Sequence, residues 1–101
     1  MIARLWHGTT RLDRADAYAA FLGERAMPDY RGTPGNLGAQ VLRRDEGGVA
    51  HFVTVSYWED EAAIRAFAGD DLLQAKYYPE DEGFLLEFEP RVMHYDVRSA
   101  G

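Results

Sequence analysis

The 101-residue chain has no cysteine, one lysine (Lys76) among its 11 basic side chains, and only four prolines. Without cysteine there is no disulfide framework, no thiolate metal or iron–sulfur site and no thiol nucleophile. Seventeen acidic residues leave a net charge of −6, which argues against a phosphate-tracking nucleic-acid binder or a basic membrane-surface helix. No run of 18 apolar residues occurs, so no membrane-spanning helix is expected. Met1 to His7 carries an arginine within a short apolar run and does not read as a signal peptide, so a cytoplasmic protein is expected.

Hydrophobic residues make up 47% of the chain and aromatics 13%, enough for a folded core. The length suits one domain, residues 1–101, near the lower limit for a self-sufficient core. Residues 2–7 alternate as a strand, with Trp6 on the face of Ile2 and Arg4, and Gly8-Thr9-Thr10 is expected to break it. A helix follows over 14–26, capped by Asp13 or Thr10, with the stripe Tyr18, Phe21, Leu22 and Ala26 inward and Pro28 as its stop. After a loop over 28–36, strands 37–44 and 49–58 flank the hairpin signal Asp45-Glu46-Gly47-Gly48.

Glu59-Asp60 opens a second helix, 61–68, ended by Gly69, and Asp70 is expected to cap a short helix through Lys76. Residues 77–83 read as a loop and 84–98 as a strand broken at Pro90. The order β-α-β-β-α-β is the split βαβ arrangement of a ferredoxin-like α+β fold, an antiparallel sheet with helices on one face. An A-x-x-A-F-x-G echo at 17–23 and 63–69 repeats across the two halves.

In Val49–Trp58 neither face is charged: one reads Val49, His51, Val53, Val55, Tyr57 and the other Ala50, Phe52, Thr54, Ser56, Trp58. Helices cover only one face of such a sheet, so a second apolar face predicts a homodimer packed sheet to sheet. The three histidines, His7, His51 and His94, all fall on strands and none has metal-ligand spacing, so no metal is expected. The acidic groups 59–61 and 80–82 read as helix-start and solvated-loop features. P-loop, dinucleotide and G-x-S-x-G signatures are missing. Trp58, Tyr77 and Tyr78 carry polar handles where a helix layer can lift from the sheet, which suits a flat, hydrophobic, oxygen-bearing ligand.

The run Phe52-Val53-Thr54-Val55-Ser56-Tyr57-Trp58, followed by Glu59-Asp60-Glu61-Ala62-Ala63-Ile64-Arg65-Ala66-Phe67, resembles the antibiotic biosynthesis monooxygenase-like domains. The resemblance implies a dimeric α/β barrel with a pocket between sheet and helices in each subunit. It implies either cofactor-free oxygenation of a hydrophobic aromatic, polyketide- or quinol-like molecule, or a non-catalytic binding or stress-response dimer. Trp58 matches the family's pocket tryptophan, with Trp6, Phe52 and Tyr78 as further substrate-binding candidates. His51, His7 and Tyr77 are the candidates for base and hydrogen-bond donor, with no cofactor required. The haem-degrading branch is the less favoured alternative, because Tyr77 stands where its axial histidine is expected.

Overall fold

A computed structural model describes residues 1–101. Four strands, β1 (Ile2–Arg11), β2 (Asn36–Glu46), β3 (Val49–Trp58) and β4 (Met93–Asp96), form one antiparallel sheet in the order β2-β3-β1-β4. The helical layer is α1 (Leu12–Phe21), a π turn (Leu22–Ala26) and α2 (Met27–Arg31), which run on as one rod, together with α3 (Glu61–Ala68). This is the expected ferredoxin-like α+β topology. No helix is long and apolar enough to cross a membrane.

The core lies between the helices and the face of the sheet carrying Trp6, Phe52 and Trp58. Against them pack Ala15, Tyr18, Leu22, Ala26 and Tyr30 from the first rod and Ile64 and Phe67 from α3. The steps of three and four residues in both helices are what a buried helical stripe needs. α3 begins as expected: the Asp60 carboxylate accepts the Ala63 N–H at 2.9 Å, and Gly69 closes it. In the hairpin the turn is just Gly47-Gly48, with φ of 64° and 81°, the positive pair that a two-residue turn with strand-matching twist demands.

Several local expectations give way to tertiary packing. Gly8-Thr9-Thr10 does not break β1, because the strand is central and pairs with β3 along its whole length, Gly8 opposite Phe52 and Thr10 opposite Ala50. Neither Asp13 nor Thr10 caps α1: Asp13 is ion-paired with Arg11, and the Thr10 hydroxyl donates to the Arg11 carbonyl. Pro28 does not stop the helix. The preceding π turn, in which the Met27 N–H bonds the Leu22 carbonyl, relaxes the register where a proline ring would collide with the previous turn.

The short helix expected over 70–76 is absent. That segment instead bridges residues 90–92, with the Ala75 N–H on the Pro90 carbonyl and the Val92 N–H on the Leu73 carbonyl. The last strand breaks around Pro90 as anticipated. Leu85 bridges Thr10 at one end of β1, and β4 pairs with Ile2 to Leu5 at the other.

Arg4 points into the protein, 2% exposed, and donates to the Leu72 and Gln74 carbonyls at 2.6 and 2.8 Å and contacts His94 Nε2 at 2.9 Å. Burial lowers the guanidinium's pKa. The carbonyls explain why 70–76 does not continue as a helix beyond the turn at 71–74: two of its peptide oxygens serve this cation and are unavailable to helical bonds.

Candidate functional site

On the helix side of the sheet a small cavity is lined by Trp6, Tyr18, Tyr30, Phe67, Tyr78 and Asp81, among others. A water molecule's centre can occupy about 20 Å³ of it, room for roughly one water. Its walls are aromatic but its groups are polar. Tyr18 donates to Asp81 Oδ1 at 2.9 Å, and Asp81 Oδ2 accepts the Tyr78 N–H at 2.7 Å. The Tyr78 hydroxyl and the Lys76 ammonium both reach Asp29 Oδ2, at 2.6 and 2.7 Å. Tyr30 shares a hydrogen bond with Thr54 at 3.0 Å. Trp6 borders the cavity with a buried Nε1–H that has no acceptor in the protein.

Electrostatics separates these groups. Burial pushes the Asp81 carboxyl up, against the opposing pull of the Tyr78 N–H and the Tyr18 hydroxyl. Burial, and then the Asp81 charge, lifts Tyr18 far above the usual phenol range, so Tyr18 remains a neutral donor. Burial would also raise Asp29, but hydrogen bonds from Lys76 and Tyr78 outweigh it and hold that carboxyl below its ordinary value. The cavity therefore presents one carboxyl biased toward holding a proton and, behind Tyr78, one biased toward ionisation.

The residues singled out from the sequence divide among three places. Trp6 and Tyr78 line the cavity. Phe52 and Trp58 are fully buried core: Phe52 meets Tyr18 edge-on, and Trp58 donates to Ser56 Oγ at 2.9 Å while packing on Tyr30 and Phe67. His7 and His51 lie on the opposite, uncovered face of the sheet, because the alternation of β1 and β3 that turns Trp6 and Phe52 inward turns their odd-numbered neighbours outward. They meet each other there, His7 Nε2 at 3.1 Å from His51 Nδ1, and His7 Nδ1 bonds the Glu89 carboxylate. Tyr77 joins the same group through its hydroxyl, which donates to the Glu89 carbonyl, while its ring stands edge-on to Trp6. No three histidine, aspartate or glutamate side chains are placed to hold a metal ion.

Tyr18 was expected only as an inward helix residue and Asp81 only as part of a solvated acidic loop, which its burial corrects; Tyr30, Asp29 and Glu89 carry no sequence signal for a site. For Asp81 a signal was present: in Tyr78-Pro79-Glu80-Asp81 the aspartate three places after the residue preceding proline can cap a short helical turn. It does so at Pro79–Gly83, which aims one of three adjacent acids inward while Glu80 and Glu82 stay exposed.

A four-stranded ferredoxin-like sheet with an aromatic cavity under its helices defines an α+β class that hosts many chemistries. A sequence model described as "Antibiotic biosynthesis monooxygenase" matches residues 1–75, and the chain belongs to that family. No curated protein matches its sequence. Among solved structures it is similar to one named "Putative antibiotic biosynthesis monooxygenase from Nitrosomonas europaea". The two share 14% identity, with a TM-score of 0.70 over 98% of this chain and 100% of the other, a likeness of fold.

Proposed function

We propose that the chain is a monooxygenase-like protein that takes a hydrophobic aromatic small molecule, polyketide- or quinol-like, into the cavity between sheet and helices and oxygenates it without a bound cofactor. The observation that carries this reading is Asp81, a buried carboxyl with raised proton affinity on the wall of an aromatic-lined cavity. A carboxylate there can take the proton from an activated methylene or phenol. The resulting substrate anion gives an electron to dioxygen, the two radicals combine as a peroxide, and loss of water leaves a carbonyl. One oxygen atom enters the product and the other leaves as water. The Trp6 ring walls the cavity, and Tyr18 holds Asp81 in place.

An aromatic substrate needs more room than one water occupies. Leu22 and Ala26, at either end of the π turn, line the cavity, and a π turn is the weak point of that wall. Opening would come from there. The cavity's small volume also favours a second reading, a non-catalytic binding or stress-response protein. Oxygen uptake with an anthrone-type phenol separates them: turnover above the buffer rate is expected, falling about 100-fold or more in Asp81→Asn. Wild-type oxidation no faster than buffer overturns the oxygenase reading.

The working unit we propose is a homodimer packed sheet to sheet, in the cytoplasm, with residues 1–101 acting as one domain. The uncovered face supports it: Leu5, Val55 and Tyr57 lie beside Met93 and Tyr95, which are 59% and 54% exposed. Sedimentation should show a dimer, and Val55→Asp a monomer; a wild-type monomer at all concentrations overturns this assignment.

A further inference from the structure

The cavity under the helices meets solvent at Lys76 and Tyr78. The other eight of its ten lining residues are buried, and these two are only partly so. Both are tied to a single atom across the mouth, Asp29 Oδ2 on α2, by the Lys76 ammonium at 2.7 Å and the Tyr78 hydroxyl at 2.6 Å. The contact therefore joins residues 76–78 to the helix that follows the π turn. It lies on the helix side of the sheet, away from the face of Leu5, Val55 and Tyr57.

Lys76 is the chain's single lysine, and its ammonium stands 4.2 Å from the centre of the Phe67 ring, itself a cavity wall. The charge is thereby held at the rim of the cavity. Against the effect of burial, hydrogen bonds from Lys76 and Tyr78 keep the Asp29 carboxyl below its ordinary value, so its oxygen accepts and both neighbours donate. The mouth thus holds two convergent donors, one of them cationic, with a carboxylate of the protein seated on both. Asp29 has a second cation beside it. The charge of Arg25 also acts on Asp29, its guanidinium lies 4.8 Å from the Tyr78 ring centre, and its bridge to Glu80 is long at 3.8 Å. Asp29 can leave Lys76 without losing a counter-charge.

We propose that Lys76 and Tyr78 form the recognition point for an acidic group on the ligand, a point that Asp29 occupies until the ligand arrives. The ligand class is an aromatic carboxylic acid, with its ring directed past Phe67 into the cavity and its carboxylate at the mouth. This rests on the reading that an aromatic molecule enters the cavity, and adds which kind. On binding, Asp29 turns to Arg25 and the ligand carboxylate takes the Lys76 ammonium and the Tyr78 hydroxyl. One carboxylate replaces another; no proton moves and no covalent bond changes. The exchange also unties residues 76–78 from α2, which gives a cavity of one-water size the opening that a ring needs. The chain's net charge of −6 repels anions at long range, so a preference for an acid over its neutral analogue reports these local donors.

The test measures equilibrium dialysis of the full chain at pH 7 against 2-naphthoate and its neutral isostere 2-naphthamide, a readout that needs no turnover. The acid should bind about ten-fold tighter than the amide, the scale of one hydrogen bond to a charged group. Lys76→Gln should abolish that preference and leave amide binding unchanged, and Lys76→Arg should restore most of it. Asp29→Asn should tighten naphthoate binding, because the competing carboxylate is gone. Circular dichroism checks that each variant is folded. Equal binding of acid and amide by wild type, a preference that survives Lys76→Gln, or naphthoate binding no tighter in Asp29→Asn overturns the proposal and leaves aromatic uptake standing. Failure of both probes to bind wild type overturns the uptake reading itself, and the proposal with it.

Discussion

Tyr18→Phe is the sharpest probe of the cavity wall. It removes one oxygen and leaves the ring to keep its contacts with Phe21, Phe52 and Phe84. What it deletes is the 2.9 Å hydrogen bond to Asp81, a carboxyl only 2% exposed that retains the Tyr78 N–H alone. A hydrogen bond to a charged group contributes about 1.5–3 kcal/mol and a neutral one about 1 kcal/mol. The expected loss is therefore about 2 kcal/mol at pH 7, equivalent to a fall of roughly 8–16 °C in Tm for a domain of this size. The pH dependence carries the test. Asp81 ionises above its ordinary value because of burial, and Tyr18 is one of the groups restraining that rise. The variant's carboxyl then titrates higher still, and the penalty shrinks to about 1 kcal/mol once acid has neutralised Asp81 in both proteins. Urea unfolding at pH 7 and pH 3, at one fixed protein concentration, measures both numbers. A loss below about 0.5 kcal/mol at pH 7, or an equal loss at both pH values, refutes the buried Tyr18–Asp81 bond as described.

Three further outcomes follow from the same packing. In Gly8→Ala the new Cβ would meet Trp6 Cη2 at 2.5 Å and Cζ2 at 2.8 Å, so the indole must move; overpacking of about 1–3 kcal/mol and altered tryptophan fluorescence are expected. Burial, and then Arg4, hold His94 below its ordinary 6.5, so its contribution to stability is complete above about pH 6.5 and is lost as pH falls through the lower folded value. The urea midpoint should decline across that window in wild type and lose that component in His94→Gln. Pro28→Ala restores an N–H after the π turn; hydrogen exchange should then show slower opening over residues 22–31.

How far the sequence was legible follows from where each signal is stored. Val49–Trp58 and Glu61–Ala68 were readable to the residue, because alternation, Asp60 and Gly69 are local. Which helix-like segments stay helical was not, because non-local contacts decide it: the Arg4 guanidinium on the carbonyls of Leu72 and Gln74 holds an alanine- and leucine-containing stretch in a turn bridged to Arg91. The candidate catalytic residues were found with the wrong neighbours. Strand parity alone separates His7 and His51 from Trp6 and Phe52, and the alternation of β1 and β3 is legible in the sequence. Asp81 was discounted with Glu80 and Glu82 because composition cannot distinguish the one inward member of an acidic triplet.

The covered side of the sheet carries four fully buried polar side chains, and part of the uncovered side is aliphatic. Under the helices lie Arg4, Thr10, Thr54 and Ser56, all at most 2% exposed, while the outer face carries Leu5, Val53, Val55 and Tyr57 at intermediate exposure. A monomer needing only a core would place these the other way, since each buried hydroxyl or guanidinium requires a partner and each uncovered aliphatic forgoes burial of about 25 cal/mol per Å². The inner polar groups are partnered: Arg4 by carbonyls, Thr54 by Tyr30, Ser56 by Trp58. Of these, Thr54 lines the cavity, which Trp6 and Tyr30 also border. Buried polar groups within and aliphatics without have a physical reason if the inner face serves a polar-headed aromatic ligand and the outer face is completed by protein. The proposed site and the proposed dimer would then account for each other: buried polar groups would shape the site, and a second copy over Leu5, Val55 and Tyr57 would supply further apolar burial.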